Sequence, residues 1–264
     1  MIQSAISNKT SQALKITWLS KASEIPEQIW QECFAPNLEG RFWYQIMDDS
    51  GLEDQFQFFY GLLLQDEKPI GIVPAFLNDV PIELVAPNAI AAGLRVLSKI
   101  IPTCGYQRTL FIGSPCADEG TMGLLTELRL QDFVQFIHQE VLNKAVQLNA
   151  PMIVWKDFPQ TDEAALDTLC KDGTVFKMHS YPGTAIFLNE ADIDSYYRQL
   201  TSSHRHNLRK KLKRSKEKLV LDIEIIQNPD DQTLEQIFDL FWQTYENGKT
   251  KFERLNKKFF SLVA

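Results

Sequence analysis

Cysteine is scarce in this chain, and its spacing excludes the commonest cysteine-based sites. Only four cysteines occur among the 264 residues, and no two form the Cys-x-x-Cys pair of a zinc site or a redox dithiol. Each lies beside apolar or turn residues, where a reduced thiol packs as a small hydrophobic side chain. We therefore predict four free thiols, at Cys33, Cys104, Cys116 and Cys170.

Motifs that define several large enzyme classes are also missing. The chain has no P-loop, no dinucleotide-binding fingerprint, no G-x-S-x-G elbow and no H-E-x-x-H helix. His204 and His206 would point to different sides of a helix, and no third ligand stands nearby at a suitable spacing. Nucleotide hydrolase, serine hydrolase and zinc protease activities therefore have no support, and we predict no metal site.

Long apolar runs are absent as well. The longest stretches fall far below the roughly 20 residues that span a bilayer. The first twelve residues lack both the basic start and the apolar core of a signal peptide. We expect a cytoplasmic protein with no transmembrane segment.

What the chain does contain is an alternation of strand and helix patterns. Apolar runs at residues 56–64 and 70–77 flank a polar turn and predict a β-hairpin. Periodicity and breakers predict further strands at residues 13–20, 109–113, 152–155, 175–188 and 221–227, and helices near residues 27–34, 42–47, 90–101, 122–148, 163–170, 192–200, 234–245 and 257–264. This order predicts an α/β fold with a mixed sheet covered by helices.

One segment reverses the charge of the chain. The formal net charge is -7, yet residues 203–218 carry eight Lys or Arg against one Glu, so the remainder holds about -14. Drawn as a helix, the segment has a narrow apolar stripe and two basic ridges. The stripe comprises Leu200, Leu208, Leu212 and Leu219, and we expect it to dock the helix against the protein.

Several roles for this basic segment stay open. It is a solvated face, or it binds the phosphates of a coenzyme or nucleotide-linked substrate, a tRNA backbone, or an acidic partner. Interleaved aromatic residues are absent, which argues against the reading of single-stranded RNA. The candidate binding residues are Arg205, Asn207, Arg209, Lys210 and Lys213.

A second candidate site is the loop that follows the predicted strand at residues 109–113. Ligand contacts in α/β folds commonly come from loops where a strand leads into a helix. Ser114 and Asp118 are the candidate binding residues here. A tight turn with helix-capping groups is the competing interpretation, and no histidine partner identifies Cys116 as a nucleophile.

The end of the chain repeats the layout of its beginning. Residues 27–30 read EQIW and residues 235–238 read EQIF, each after a predicted strand and before a second short helix. We therefore predict a first domain at residues 1–190, a basic helical connector at 191–219, and the first elements of a truncated second domain at 220–264.

The passage from Ala185 to Arg214 resembles the GNAT acyltransferases of the Fem-like group. It contains the strand AIFL, a short helix ending in Leu200, and the basic helix SHRHNLRKKLKR, which leads into a second GNAT domain in that group. The Gly113-Ser114-Pro115 strand end resembles that group's first domain.

The resemblance implies tandem GNAT-like domains that transfer an acetyl or aminoacyl group to an amine. Acetyl-CoA or aminoacyl-tRNA would be the donor, and a small molecule or a peptidoglycan-precursor-like compound the acceptor, with a role in cell-envelope or polysaccharide synthesis. The usual acyl-CoA pyrophosphate loop, which opens a helix, is not found. We therefore expect the donor site to lie outside these residues, and the chain to be inactive alone. The alternative is a non-catalytic module whose basic helix binds an acidic partner or RNA.

Overall fold

The computed structural model describes residues 13–34, 39–82, 105–117, 119–179, 184, 186–187, 189–220, 222–248 and 251–264. Their contacts divide the chain into two compact units. The first comprises Met1–Met178 with Asp230–Ala264, and the second comprises His179–Pro229.

A six-stranded sheet forms the centre of the first unit. Its strands are β1 (Leu14–Leu19), β2 (Gln57–Gln65), β3 (Lys68–Pro81), β4 (Tyr106–Ile112), β5 (Gly123–Leu124) and β6 (Met152–Trp155). The order is β1-β2-β3-β4-β6, with β5 paired to β3. All pairs are antiparallel except β4 with β6, which is parallel. The predicted α/β class with a mixed sheet is confirmed.

The predicted hairpin is formed by β2 and β3. Its two turn residues, Asp66 and Glu67, both have positive φ, at 49° and 62°, the backbone that two-residue hairpin turns favour because it matches the twist of the strands. The Asp66 carboxylate accepts a hydrogen bond from the Ala13 amide at 3.0 Å, which ties β1 to the hairpin.

Helices flank this sheet. They are α1 (Glu27–Phe34), α2 (Arg41–Asp49), α3 (Leu130–Gln147) and α4 (Glu163–Leu166), with 3-10 turns at Ala22–Glu24, Gln160–Asp162 and Asp167–Asp172. Since α3 connects the parallel strands β4 and β6, it is the crossover that such a pair requires.

Alternate residues of the central strand β3 pack on opposite faces of the sheet. Val73, Ala75 and Leu77 join one core cluster with Ile137 and Val141 of α3. On the other face Ile72 packs in a cluster with α1 and α2 residues. Phe76 stacks on Phe111 of β4, with ring centroids 4.7 Å apart. The hydrophobic pattern of β3 therefore positions helices on both faces.

The last two helices belong to the first unit. They are α7 (Asp231–Asn247) and α8 (Lys257–Val263). The helices α5 and α6, which precede them in the chain, belong to the second unit. The Asn256 side chain donates a hydrogen bond to the Ser50 carbonyl at 2.7 Å, and Phe259 is buried beside Trp43. These contacts explain why residues 230–264 belong to the first unit. The domain boundaries predicted at residues 190 and 219, and the beginning of a second GNAT-like domain at 220–264, stay predictions.

The second unit contains α5 (Ile193–Gln199) and α6 (Ser202–Lys218). Asp192 and Thr201 cap them, since their side chains accept hydrogen bonds from the Ser195 and His204 amides. Leu208, Leu212 and Leu219 of the predicted stripe stay exposed. The described residues of this unit therefore do not cover the stripe, and docking of the helix through it stays a prediction.

Three sequence predictions of secondary structure were wrong. Residues 222–227 form no strand, because their alternating pattern DIEIIQ finds no partner strand among the described residues. The described residues between 175 and 187 are also irregular. The helix predicted from residue 122 begins only at Leu130, because Gly123 and Leu124 pair with β3. The helix predicted at 90–101 lies outside the described residues.

Replacing Trp30 by alanine tests the packing beneath α1. Trp30 is almost fully buried against Phe34, Tyr44 and Tyr60, and its indole donates to the Ala22 carbonyl at 3.1 Å. We expect Trp30→Ala to lower the free energy of unfolding by about 3–5 kcal/mol, measured by denaturant titration.

The matched control is Phe42→Ala, since Phe42 of α2 is 59% exposed. We expect that variant to change stability by less than about 0.5 kcal/mol. Equal losses in both variants would contradict the described core.

Candidate functional site

Polar side chains gather where the parallel strands β4 and β6 end. Ser114 and Cys116 follow β4, Lys156 and Asp157 follow β6, and Glu253 comes from the segment before α8. We call these five residues the strand-end cluster. The carboxyl ends of adjacent parallel strands are where ligands bind in many α/β proteins, so this cluster is one candidate site.

Backbone contacts fix the geometry of the strand ends. The Lys156 amide donates to the Ile112 carbonyl at 3.1 Å, and the Gly113 amide donates to the Pro74 carbonyl at 2.9 Å. Gly113 has a φ of +115°, which favours glycine. Ser114 is buried, and its hydroxyl accepts a hydrogen bond from the Trp43 indole at 3.2 Å.

Charged groups of the cluster are only partly paired. The Lys156 ammonium lies 2.9 Å from the Asp157 carboxylate and donates to the Ala117 carbonyl at 3.2 Å. Burial raises the pKa of the half-buried Glu253 carboxyl; the Asp157 charge raises it further, while the Lys156 charge opposes the shift. A carboxyl with a raised pKa is suited to accept and release protons.

Cys116 is not activated by its surroundings. Burial, and then the Glu253 charge, raise the pKa of its thiol to about 12. The thiolate is the nucleophilic form of cysteine. The structure therefore argues against Cys116 as a nucleophile.

The second candidate site is a groove on α6 with a volume of about 470 Å³. It is lined by Tyr197, Arg209, Leu212, Lys213, Lys216 and Glu217. The Arg209 guanidinium lies 5.3 Å from the centroid of the Tyr197 ring and 3.7 Å from the Asp194 carboxylate. Lys213 lies 3.9 Å from Glu217. The groove combines three cations with an aromatic floor and could hold an anion.

The predicted site residues fall in both units. Arg205, Asn207, Arg209, Lys210 and Lys213 all lie on α6, although only Arg209 and Lys213 line its groove. Arg205 instead donates to the Tyr197 carbonyl at 3.4 Å. Ser114 belongs to the strand-end cluster, and Asp118 lies outside the described residues. Their roles in binding stay predictions.

Sequence reasoning missed Lys156, Asp157 and Glu253. The first two directly follow a strand that was predicted correctly, so the rule that ligands bind at carboxyl ends of parallel strands was a usable signal. Glu253 had no local signal, because it reaches the cluster from a segment nearly a hundred residues further along the chain.

Three of the four cysteines lie in the described part of the chain. Cys33, Cys116 and Cys170 are free, as predicted, while Cys104 lies outside the described residues. In the described ranges no group of three His, Cys, Asp or Glu could hold a metal ion. No helix in that same part of the chain is long and apolar enough to cross a membrane.

Comparison with solved structures finds three similar chains. No protein-family model matches the chain, and no curated protein sequence matches it. One of the three similar chains is the ribosomal-protein-alanine N-acetyltransferase from Brucella melitensis biovar Abortus 2308. It is 12% identical, with a TM-score of 0.37, over 66% of this chain and all of that one. A likeness this distant assigns no function to the chain.

Alkylation measures the state of Cys116 directly. Since its pKa is about 12, the thiolate population is about a thousandfold below that of an ordinary cysteine. We expect iodoacetamide at pH 8 to label Cys116 at least a hundredfold more slowly in the folded chain than in the denatured chain, measured by mass spectrometry. Rates within tenfold of each other would contradict the described environment.

Gly120→Ala tests the close approach between the two strand-end loops. A Cβ at Gly120 would lie 1.8 Å from the Lys156 carbonyl oxygen, and the Gly120 amide donates to the Asp157 carbonyl at 2.9 Å. We expect a loss of about 1–3 kcal/mol of stability because the loop must move, measured by thermal unfolding.

Gly173→Asn is the control for that variant. Gly173 has open space around its Cβ position, and asparagine tolerates its left-handed backbone. We expect a smaller loss than for Gly120→Ala. The opposite order would mean that the strand-end loops are not packed as described.

Proposed function

We propose that the protein is an acyltransferase of the GNAT type that moves an acyl group to an amine. The observation that carries the proposal is the strand-end cluster, in which the half-buried Glu253 carboxyl has a raised pKa and interacts electrostatically with Lys156 and Asp157 at the end of a parallel strand. The resemblance of residues 185–214 to Fem-like acyltransferases supports the same activity. The mixed sheet is compatible with it.

In the proposed reaction Glu253 acts as the general base. An amine attacks the carbonyl carbon of the donor, a C–N bond forms, and the bond from that carbon to the leaving sulfur or oxygen breaks. The Glu253 carboxylate accepts the proton that the amine loses. That proton then passes to the leaving group, so that charge and atoms balance. Positioning the two substrates supplies most of the acceleration in such a reaction.

The donor and acceptor are proposed by class. Acetyl-CoA or aminoacyl-tRNA is the donor, and a small amine or a peptidoglycan-precursor-like amine is the acceptor, which would place the reaction in cell-envelope or polysaccharide synthesis. Both donors carry phosphates, which Arg209, Lys213 and Lys216 in the α6 groove are suited to bind. Arg205, Asn207 and Lys210 belong to the same proposed anion-binding helix.

A second candidate function is a non-catalytic module that binds an acidic partner or RNA through α6. The observation that favours it is that, in the described part of the chain, only Arg209 and Lys213 among the cations of α6 form ion pairs. Binding of such partners would weaken steeply with salt. In that case no acyl transfer would be detected with either donor.

The test is transfer activity of the protein and its Glu253→Gln variant. Acetyl-CoA and aminoacyl-tRNA are each offered with a panel of amines, and product is measured by mass spectrometry. We expect Glu253→Gln to slow transfer about a hundredfold or more. Only the ionised carboxyl is a base. The transfer rate of the unsubstituted protein should therefore rise as the pH passes through the raised pKa of Glu253, and this rise should be absent from the pH profile of Glu253→Gln.

Glu53→Gln, at an exposed carboxyl in the same unit, is the matched control and should leave the rate unchanged. No turnover together with no binding of either donor would sink the acyltransferase proposal, whereas turnover would contradict the expectation from the sequence that these residues are inactive alone. Turnover that is insensitive to Glu253→Gln would remove Glu253 from the mechanism.

A further inference from the structure

The apolar stripe of α6 is exposed although it lies in the most highly charged helix of the chain. Leu208, Leu212 and Leu219 are 36%, 44% and 59% exposed. Large apolar side chains also stay exposed in the segment that follows, at Val220, Ile223 and Ile225. Solvation alone explains the lysines and arginines of this region, but several exposed apolar side chains along one side of a helix indicate a binding surface.

Cations flank this stripe on both sides. At 100° per residue, the three leucines fall within about 40° of one another. Arg205, Arg209 and Lys216 lie along one border of the stripe, and Lys211 and Lys218 lie along the other. Long cationic side chains beside an apolar stripe can extend to an interface while their methylene groups stay with the apolar surface.

This combination favours one kind of partner. A nucleic acid would satisfy the cations but would leave the leucines in water. An anionic bilayer satisfies both, because apolar side chains enter the boundary of the acyl region while Lys and Arg contact the headgroups. The chain as a whole is acidic, at -7, so attraction to such a surface would be confined to this helix.

We propose that α6 and the segment after it bind the surface of an anionic phospholipid bilayer. The helix lies in the plane of the interface with Leu208, Leu212 and Leu219 inserted and the flanking cations on lipid phosphates and carboxylates. The proposal names a partner for the basic helix and does not depend on acyl transfer. A negative transfer assay would leave it intact.

The experiment is flotation of the full chain with vesicles of POPC alone and of POPC with 30% POPS. We expect binding only to the POPS vesicles. Leu208→Ser with Leu212→Ser should lower partitioning at least tenfold, since it removes the inserted side chains and keeps every charge. Lys211→Gln with Lys218→Gln should lower it about 25-fold, since each cation near an anionic surface contributes about fivefold. Circular dichroism verifies that each variant keeps its fold.

Val146→Ser, at an exposed apolar residue of α3, is the matched control and should bind within twofold of the unsubstituted chain. Equal binding to both vesicles, or no binding to either, would overturn the proposal. The proposal would also be overturned if vesicle binding depended on the cations but not on the leucines and the chain bound an RNA duplex as tightly as it bound the POPS vesicles. Self-association of the chain that the double leucine variant abolishes, without vesicle binding, would identify a second copy as the partner.

Discussion

The parallel pairing of β4 with β6 is the constraint on which the candidate active site depends. A parallel pair needs a crossover connection, and α3 supplies it while filling one face of the sheet with Ile137 and Val141. Pairing of Ile112 with Trp155 then sets the ends of both strands side by side. Two loops distant in sequence, one beginning at Gly113 and the other at Lys156, meet there as a result. An antiparallel pair would have sent them to opposite edges.

The same pairing explains why two groups of the strand-end cluster have raised pKa values. The residues after β4 and β6 are covered by the segment that carries Phe252 and Glu253, with Phe252 packing 5.8 Å from Phe111. Burial removes water from Glu253 and Cys116, which raises the pKa of both groups. Lys156 is held by Asp157 and the Ala117 carbonyl, so it offsets the burial of Glu253 only in part. Burial beneath this one segment therefore produces both the proton acceptor Glu253 and the unreactive thiol of Cys116.

The sequence predicts the sheet and its helices well because their signals are local. Alternating apolar residues in β2 and β3, the polar turn at Asp66 and Glu67, and the pattern of α3 are each readable within about a dozen residues. Residues 222–227 carry an equally clear strand pattern and form none in the described chain, because a strand also needs a neighbour. Glu253 was unpredictable for a related reason, since tertiary packing alone gives it its surroundings. For α6 the sequence predicted the basic charge and the apolar stripe correctly, but it did not predict that the leucines of the stripe would be exposed.

The central claim is that the strand-end cluster holds a carboxyl ready to accept a proton. The most direct measurement is a carbon-13 NMR titration of Glu253, assigned by the loss of its signal in a Glu253→Gln sample and repeated in an Asp157→Asn variant. We predict a titration midpoint above the usual glutamate value of about 4.3, and we expect this midpoint to fall when the Asp157 charge is removed. A midpoint at or below that value, unchanged by Asp157→Asn, would contradict it.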